Sequence, residues 1–60
     1  MMTLVRLPAN QCWAFTFGRT VATADIIPMG EKRFFDTRDE AVDAASRQGL
    51  TVDRDGKVDG

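Results

Sequence analysis

Histidine and tyrosine are absent from this sequence, and cysteine occurs once, at Cys12. Without histidine the chain lacks the side chain that most often serves as a general base and as a metal ligand near neutral pH. One cysteine cannot form a disulfide within the chain, and it supplies a single ligand where a structural zinc site needs four. We therefore predict no catalytic residue, no metal, no cofactor and no enzymatic activity.

Long hydrophobic runs are absent as well. The apolar residues 1–5 are followed by Arg6 and Pro8, and the run is too short for a membrane span or a signal peptide. A lone cysteine is typical of proteins in a reducing compartment. We expect no membrane segment and a cytoplasmic location, in a bacterium or in a cell infected by a phage.

An excess of charge of either sign is also missing. Eight basic and nine acidic residues leave a net charge of −1, which neither attracts nor repels nucleic acid strongly. The distribution is uneven, because Arg6 and Arg19 are the only charged residues before Asp25. The amino-terminal part is therefore mildly basic, and the rest is mixed.

Large aromatic and small side chains alternate over residues 12–17, as a strand with two different faces requires. Trp13, Phe15 and Phe17 share one face. Residues 3–7 are aliphatic and β-branched, so we predict an antiparallel hairpin with a loop of four residues. The aromatic face is a base-stacking platform or part of the core, and the small apolar content of the chain favours the core.

A helix is predicted over residues 38–48, because both of its ends carry capping signals. Thr37 is a preferred N-cap residue, and Glu40 three positions later completes a capping box. Gly49 can take the left-handed conformation that ends a helix, and the leucine after it can close onto the last turn. The apolar stripe consists of small side chains, which suits close packing against the aromatic face of the sheet.

The remaining elements are short. We predict strands at residues 20–27, 32–35 and 50–52, with a turn at residues 28–31. A three-residue turn ending in Gly56 follows and places the valines on its two sides opposite each other. The acidic residues of this turn suggest a calcium loop as an alternative, but the glycine comes too early and the closing glutamate is missing.

These elements predict an α+β fold in one domain, residues 1–60. A small antiparallel sheet of three to five strands carries one helix, about residues 38–48, packed on one face. A chain of this length buries only about 60% of the surface of its unfolded form, so the core is thin. Self-association would bury more apolar surface, and we expect a homo-oligomer or a complex with a host protein.

The sheet face opposite the aromatic rings is the candidate interaction face. It combines small side chains with basic residues at its border. Either Leu4 or Arg6 belongs to this face, and either Lys32 or Arg33 joins it. The candidates are Leu4, Arg6, Cys12, Ala14, Thr16, Arg19, Lys32 and Arg33. This face either meets a partner or is simply solvated, and for Cys12 we predict the role of a small buried hydrophobe.

The resulting functional hypothesis is a non-enzymatic interaction protein that self-associates through a sheet face or edge. The alternative is a nucleic-acid-binding module. It would use a sheet face edged by Arg6, Arg19, Lys32 and Arg33, and its binding would weaken with added salt.

Several motifs resemble a small bacterial domain family that has no assigned activity. They are a strand bearing Trp13, the run Phe35-Asp36-Thr37 leading into Glu40-Ala41, Ala45 in the helix, and the ending Asp55-Gly56-Lys57-Val58. Because these motifs are caps, core positions and a turn, the resemblance implies a fold only. The strand–threonine–helix element is also similar to the arm-binding amino-terminal domain of phage tyrosine integrases, whose three-stranded sheet lies in the DNA major groove. This second resemblance implies a phage origin, although the basic sheet of that domain is missing here.

Overall fold

A computed structural model of the chain describes residues 2–18 and 25–60. Its elements are β1 (Met2–Leu7), β2 (Cys12–Phe17), β3 (Ile26–Ile27), α1 (Arg38–Arg47), β4 (Thr51–Val52) and β5 (Val58–Asp59). β1, β2 and β3 form an antiparallel sheet in that order, and β4 and β5 form a second one. The predicted α+β class, with small antiparallel sheets and one helix, is confirmed.

The amino-terminal hairpin has the predicted loop length. Leu7 pairs with Cys12, and the register continues to Met2 opposite Phe17, so β1 begins one residue earlier than predicted. Gln11 adopts a φ of 52°, a left-handed conformation at the end of the loop. The hairpin therefore aligns all six residues of β1 with all six of β2.

The predicted strand at residues 20–27 is tested only at its end. Ile26 and Ile27 form β3, which pairs with the last part of β2. Residues 20–24 lie outside the described part of the chain. The third strand of the sheet is therefore shown for two residues.

The predicted strand at residues 32–35 is wrong. The backbone N–H of Met29 donates to the carbonyl of Lys32 at 2.9 Å, across a tight turn in which Gly30 has a φ of 68°. Lys32 is thus paired with Met29 on its own segment and cannot extend a ladder along β2. Of this stretch only Phe35 reaches the sheet, as an isolated bridge to β2.

The helix ends are close to those predicted. Thr37 Oγ1 accepts a hydrogen bond from the Glu40 N–H at 3.1 Å, as an N-cap does. The Glu40 carboxylate, however, accepts from the N–H of Asp36 at 3.2 Å and not from that of Thr37, so the capping box is displaced by one residue. Gln48 is the C-cap and lies outside α1. The helix therefore ends at Arg47, one residue before the predicted end.

The end of α1 is stabilised by the predicted glycine motif. Gly49 has a φ of 79°, and its N–H donates to the carbonyl of Ser46 at 3.0 Å. The Leu50 N–H donates to the carbonyl of Ala45 at 2.9 Å. These two bonds satisfy the last carbonyls of the helix in the manner of a Schellman motif.

Replacing Thr37 with alanine is expected to lower the free energy of unfolding by about 1 kcal/mol, because the Glu40 N–H loses its acceptor. Thr37→Ser keeps a hydroxyl at the same place and serves as the control. Urea denaturation followed by far-UV circular dichroism measures both. Equal losses in the two variants would show that the hydroxyl is not what stabilises this helix end.

The carboxy-terminal hairpin joins the main sheet at β1. Val52 pairs with Val58, as predicted, across a turn in which Gly56 has a φ of 86°. The Leu4 N–H donates to the carbonyl of Gly56 at 2.6 Å, and an isolated bridge connects Lys57 to β1. The two small sheets are therefore linked through the outer edge of β1.

The main core lies between α1 and the sheet, with Phe15 fully buried at its centre. The ring of Phe15 meets that of Phe35 edge-on, with 5.9 Å between the centroids. Trp13 is partly buried against the same cluster, whereas Phe17 is 58% exposed. Burial of the aromatic face is thus confirmed at Phe15, holds in part at Trp13 and is wrong at Phe17, the last residue of β2, which pairs with Met2 at the end of the sheet.

The opposite sheet face is not open, which corrects the predicted interaction face. Ala14 and Thr16 have no exposed surface, and Cys12 is 8% exposed. Cys12 and Ala14 belong to a second apolar cluster that also contains Leu7 and Ile26. A strand whose alternate positions are apolar on both sides is buried on both faces, and this is the case for β2.

Candidate binding surface

Basic and aromatic side chains are aligned across one end of the sheet. Arg6 on β1 is the cross-strand partner of Trp13 on β2. Trp13 and Phe35 exchange two backbone hydrogen bonds, of 2.7 and 2.9 Å. Residues directly opposite each other on adjacent strands point to the same face, so Arg6, Trp13 and Phe35 form a row across the sheet.

A second cation closes this row at its far side. Lys32 Nζ lies 5.5 Å from the centre of the Phe35 ring, within the range of a cation–π contact. We call Arg6, Trp13, Phe35 and Lys32 the cation–ring row. Since neighbouring strands are about 4.8 Å apart, the part of the row from Arg6 to Phe35 spans about 10 Å.

The local sequence explains why the row forms. The tight turn at Gly30 reverses the chain, and the buried ring of Phe35 fixes its return against Phe15. Arg33 and Phe34, between the turn and this anchor, remain exposed, Phe34 to 40%. The anchor therefore holds a basic and an aromatic side chain on the surface next to the row.

The cations of this surface form no ion pairs with described residues. Arg6, Lys32 and Arg33 are exposed, and none of them forms an ion pair within the described residues. The ion pair found there joins Arg47 to Asp43 along α1, at 3.1 Å. The three cations are thus available to an anionic partner.

The structure divides the predicted interaction residues into three groups. Arg6, Lys32 and Arg33 are exposed and lie at or beside the row. Leu4 pairs with Phe15 and belongs to the core, which excludes it from any exposed face. The remaining candidates do not contribute to a described surface: Cys12, Ala14 and Thr16 are buried, and Arg19 lies outside the described residues.

Trp13, which is half-buried, was assigned to the core in preference to a base-stacking platform, and Phe34 was not singled out from the sequence at all. The register of the amino-terminal hairpin offered a signal for Trp13, because a four-residue loop places it beside Arg6. Nothing comparable pointed to Phe34, whose exposure depends on the bridge made by its neighbour Phe35.

A groove of 340 Å³ adjoins the row, between the tight turn and α1. Met29 and Phe35, both nearly fully buried, form its apolar floor together with Ala44. Side chains of Glu40, Asp43, Arg47 and Gln48 surround it on the helix side. Lys32 and Phe35 belong to both the groove and the row, so the two features are continuous.

The acidic stretch near the carboxyl end is a turn, as favoured from the sequence. Asp53 Oδ1 accepts hydrogen bonds from the N–H groups of Asp55 and Lys57, both at 2.9 Å. This oxygen is therefore used within its own loop. Over residues 2–18 and 25–60 no group of three or more potential metal ligands comes together.

Cys12 is a free thiol and is buried, as predicted for a small hydrophobe. Within the described ranges no helix is both long and apolar enough to cross a membrane. Comparison with protein-family models, with curated proteins and with solved structures yields no match to this chain.

Proposed function

We propose that this protein is a non-enzymatic interaction protein of the cytoplasm and that it binds nucleic acid at the cation–ring row. The observation that carries the proposal is the alignment of Arg6, Trp13 and Phe35, with Lys32 over the far ring. Cations contact phosphates, and the half-buried ring of Trp13 offers a stacking surface to a base, whereas Phe35, which is 3% exposed, anchors the row. Arg33 and Phe34 extend the same combination beyond the row.

The overall charge limits the affinity of such binding. A net charge of −1 neither attracts nor repels a polyanion strongly, so binding depends on the local charge of Arg6, Lys32 and Arg33. We therefore expect binding that is measurable at low salt and weakens steeply as salt is added.

The variant Lys32→Gln/Arg33→Gln is expected to bind nucleic acid more weakly, whatever the sequence. If each side chain contacts one phosphate, the slope of log affinity against log salt falls by about 2. The affinity can be measured by titration at several salt concentrations, with the fluorescence of Trp13, the single tryptophan, as the reporter.

The matched control is Arg54→Gln/Lys57→Gln, which removes the same charge from exposed positions around the turn of the carboxy-terminal hairpin. It should keep the salt slope of the unmodified protein. If both double variants lose the same slope, binding is not localised at the row. If the unmodified protein does not bind duplex or single strands at low salt, nucleic-acid binding is ruled out.

Self-association is the second candidate function, and the exposure of Phe17 favours it. A large aromatic ring that is 58% exposed gains by being covered by a partner. Other routes are less favourable, since β3 and β4 have two residues each and offer little edge for strand addition. The total surface does not favour association either, because the accessible surface of 4034 Å² is close to the roughly 3,900 Å² expected for a folded monomer of this mass.

If the chain associates through this ring, light scattering at tens of micromolar gives a mass above that of the monomer, and Phe17→Ser restores the monomer mass. Phe34→Ser, the same change at another exposed ring, should leave the mass unchanged. A strict monomer at this concentration would exclude self-association as the function.

A further inference from the structure

The ring of Trp13 is the accessible aromatic surface of the cation–ring row. It is half-buried, whereas Phe35 is 3% exposed. Within the described residues, the cation–π contact of the row belongs to Phe35 and the ring–ring contact joins Phe35 to Phe15, so neither a cation nor another ring covers Trp13 there. A base can therefore stack on Trp13 while Arg6 and Lys32, at the two ends of the row, hold phosphates.

The helix does not offer a surface for reading a duplex. The major groove of a duplex admits an α-helix or a two-stranded ribbon. The exposed side of α1 carries Asp39, Glu40 and Asp43, and Arg47 on that side is paired with Asp43. Arg38 is half-buried and donates to a backbone carbonyl of the turn after β4. Because the free charges of α1 are carboxylates, the helix repels phosphates and cannot enter the groove.

The β-ribbons are equally unsuited to a duplex. Along the middle of the β1–β2 ribbon both faces are occupied, since Leu4 and Phe15 belong to the core on one side and Ala14 and Thr16 have no exposed surface on the other. β4 and β5 have two residues each, and acidic residues outnumber basic ones by three to two over residues 51–60. Neither ribbon presents a basic face to a groove.

From the uncovered ring and the lack of a groove-reading element we infer that the ligand of the row is single-stranded nucleic acid, bound without preference for one base. The inference rests on the proposed nucleic-acid function and specifies its substrate. Stacking on Trp13 needs an unpaired base but does not distinguish the four bases, because each has a π-face. The bases of a duplex are stacked on one another, and extruding one to reach the ring costs free energy.

The test compares labelled oligo-dT, oligo-dC and oligo-U of equal length with a DNA duplex of the same length, by fluorescence anisotropy at low salt. We expect the single strands to bind about tenfold more tightly than the duplex, as the stacking of one base provides. The oligo-U arm distinguishes RNA from DNA as the source of the strand.

The possible outcomes separate the inference from the proposed function. Duplex binding as tight as that of the single strands overturns the inference and leaves nucleic-acid binding standing. A tenfold difference between oligo-dC and oligo-dT overturns the lack of base preference. Absence of binding to every probe overturns both the inference and the proposed function.

Trp13→Leu removes the stacking ring and keeps an apolar side chain, and Trp13→Phe is the matched control that keeps a ring. We expect Trp13→Leu to bind oligo-dT about tenfold more weakly and Trp13→Phe to keep most of the affinity. The salt dependence should be unchanged in both variants, because the cations remain. Circular dichroism verifies that both are folded, and equal affinities of the folded variants would contradict stacking on this ring.

The unmodified protein gives a readout that does not depend on a variant. Trp13 is the single tryptophan, so acrylamide quenching of its fluorescence reports the accessibility of this ring alone. Saturating oligo-dT should protect the ring from acrylamide, and the duplex should not. An unchanged quenching constant with bound oligo-dT would show that no base covers Trp13 and would overturn the inference.

Discussion

Gly56→Ala is expected to lower the free energy of unfolding by about 3 kcal/mol or more. A side chain at a left-handed φ costs about 1–2 kcal/mol, and overpacking adds about 1–3 kcal/mol. Both terms apply, since Gly56 has a φ of 86° and an added Cβ would collide with the backbone carbonyl oxygen of Leu4. For a chain of this length the total stability is about 3–9 kcal/mol, so the variant would lose a large part of it.

Gly49→Ala is the matched control. Gly49 has a similar φ of 79°, but an added Cβ there meets no atom within 4 Å. It should therefore lose only the conformational part, about 1–2 kcal/mol. Urea denaturation of both variants gives the difference, which measures the close approach of the carboxy-terminal hairpin to β1. Equal losses would mean that this approach relaxes without cost.

Phe15→Ala is expected to leave the protein largely unfolded at room temperature. Truncating a fully buried phenylalanine costs about 3–5 kcal/mol, which approaches the total stability of a domain of this size. The variant also removes the edge-on contact with Phe35 and so loosens the anchor of the cation–ring row. Circular dichroism and thermal denaturation report the loss, and Phe15→Leu, which keeps a large apolar side chain, should remain folded.

Phe17→Ala tests the opposite expectation two residues further along the same strand. Because its ring is 58% exposed, truncation should cost at most about 0.5 kcal/mol. A loss as large as that of Phe15→Ala would contradict the assignment of Phe17 to the surface.

Much of the fold could be predicted from local signals in the sequence. The loop length of the first hairpin, the N-cap at Thr37, the glycine stop of α1 and the pairing of Val52 with Val58 each depend on a few adjacent residues. Such features are decided by turn and capping chemistry, which acts over short distances.

The errors arose where contacts are distant in sequence. The alternation of residues 12–17 indicated a buried aromatic face and an open face of small side chains, although Cys12, Ala14 and Thr16 are buried as well. The strand expected at residues 32–35 competed with a tight turn at Gly30, and only tertiary pairing decides between the two.

The binding surface was predictable only in part. Its basic residues Arg6, Lys32 and Arg33 were all among the candidates, but they were assigned to the wrong face. Their association with Trp13 depends on the bridge between Trp13 and Phe35, which joins segments that sequence periodicity cannot relate. The groove depends on the same bridge, and no short sequence motif predicts the groove.

The hydrogen bond from Leu4 to Gly56 connects residues 52 positions apart in the chain, whereas the β1–β2 hairpin closes over a four-residue loop. Closing the longer loop costs more chain entropy, so the attachment of the last hairpin should be the late event of folding. Deuterium uptake at the Leu4 amide would then report how often the final hairpin detaches while the rest of the molecule stays intact.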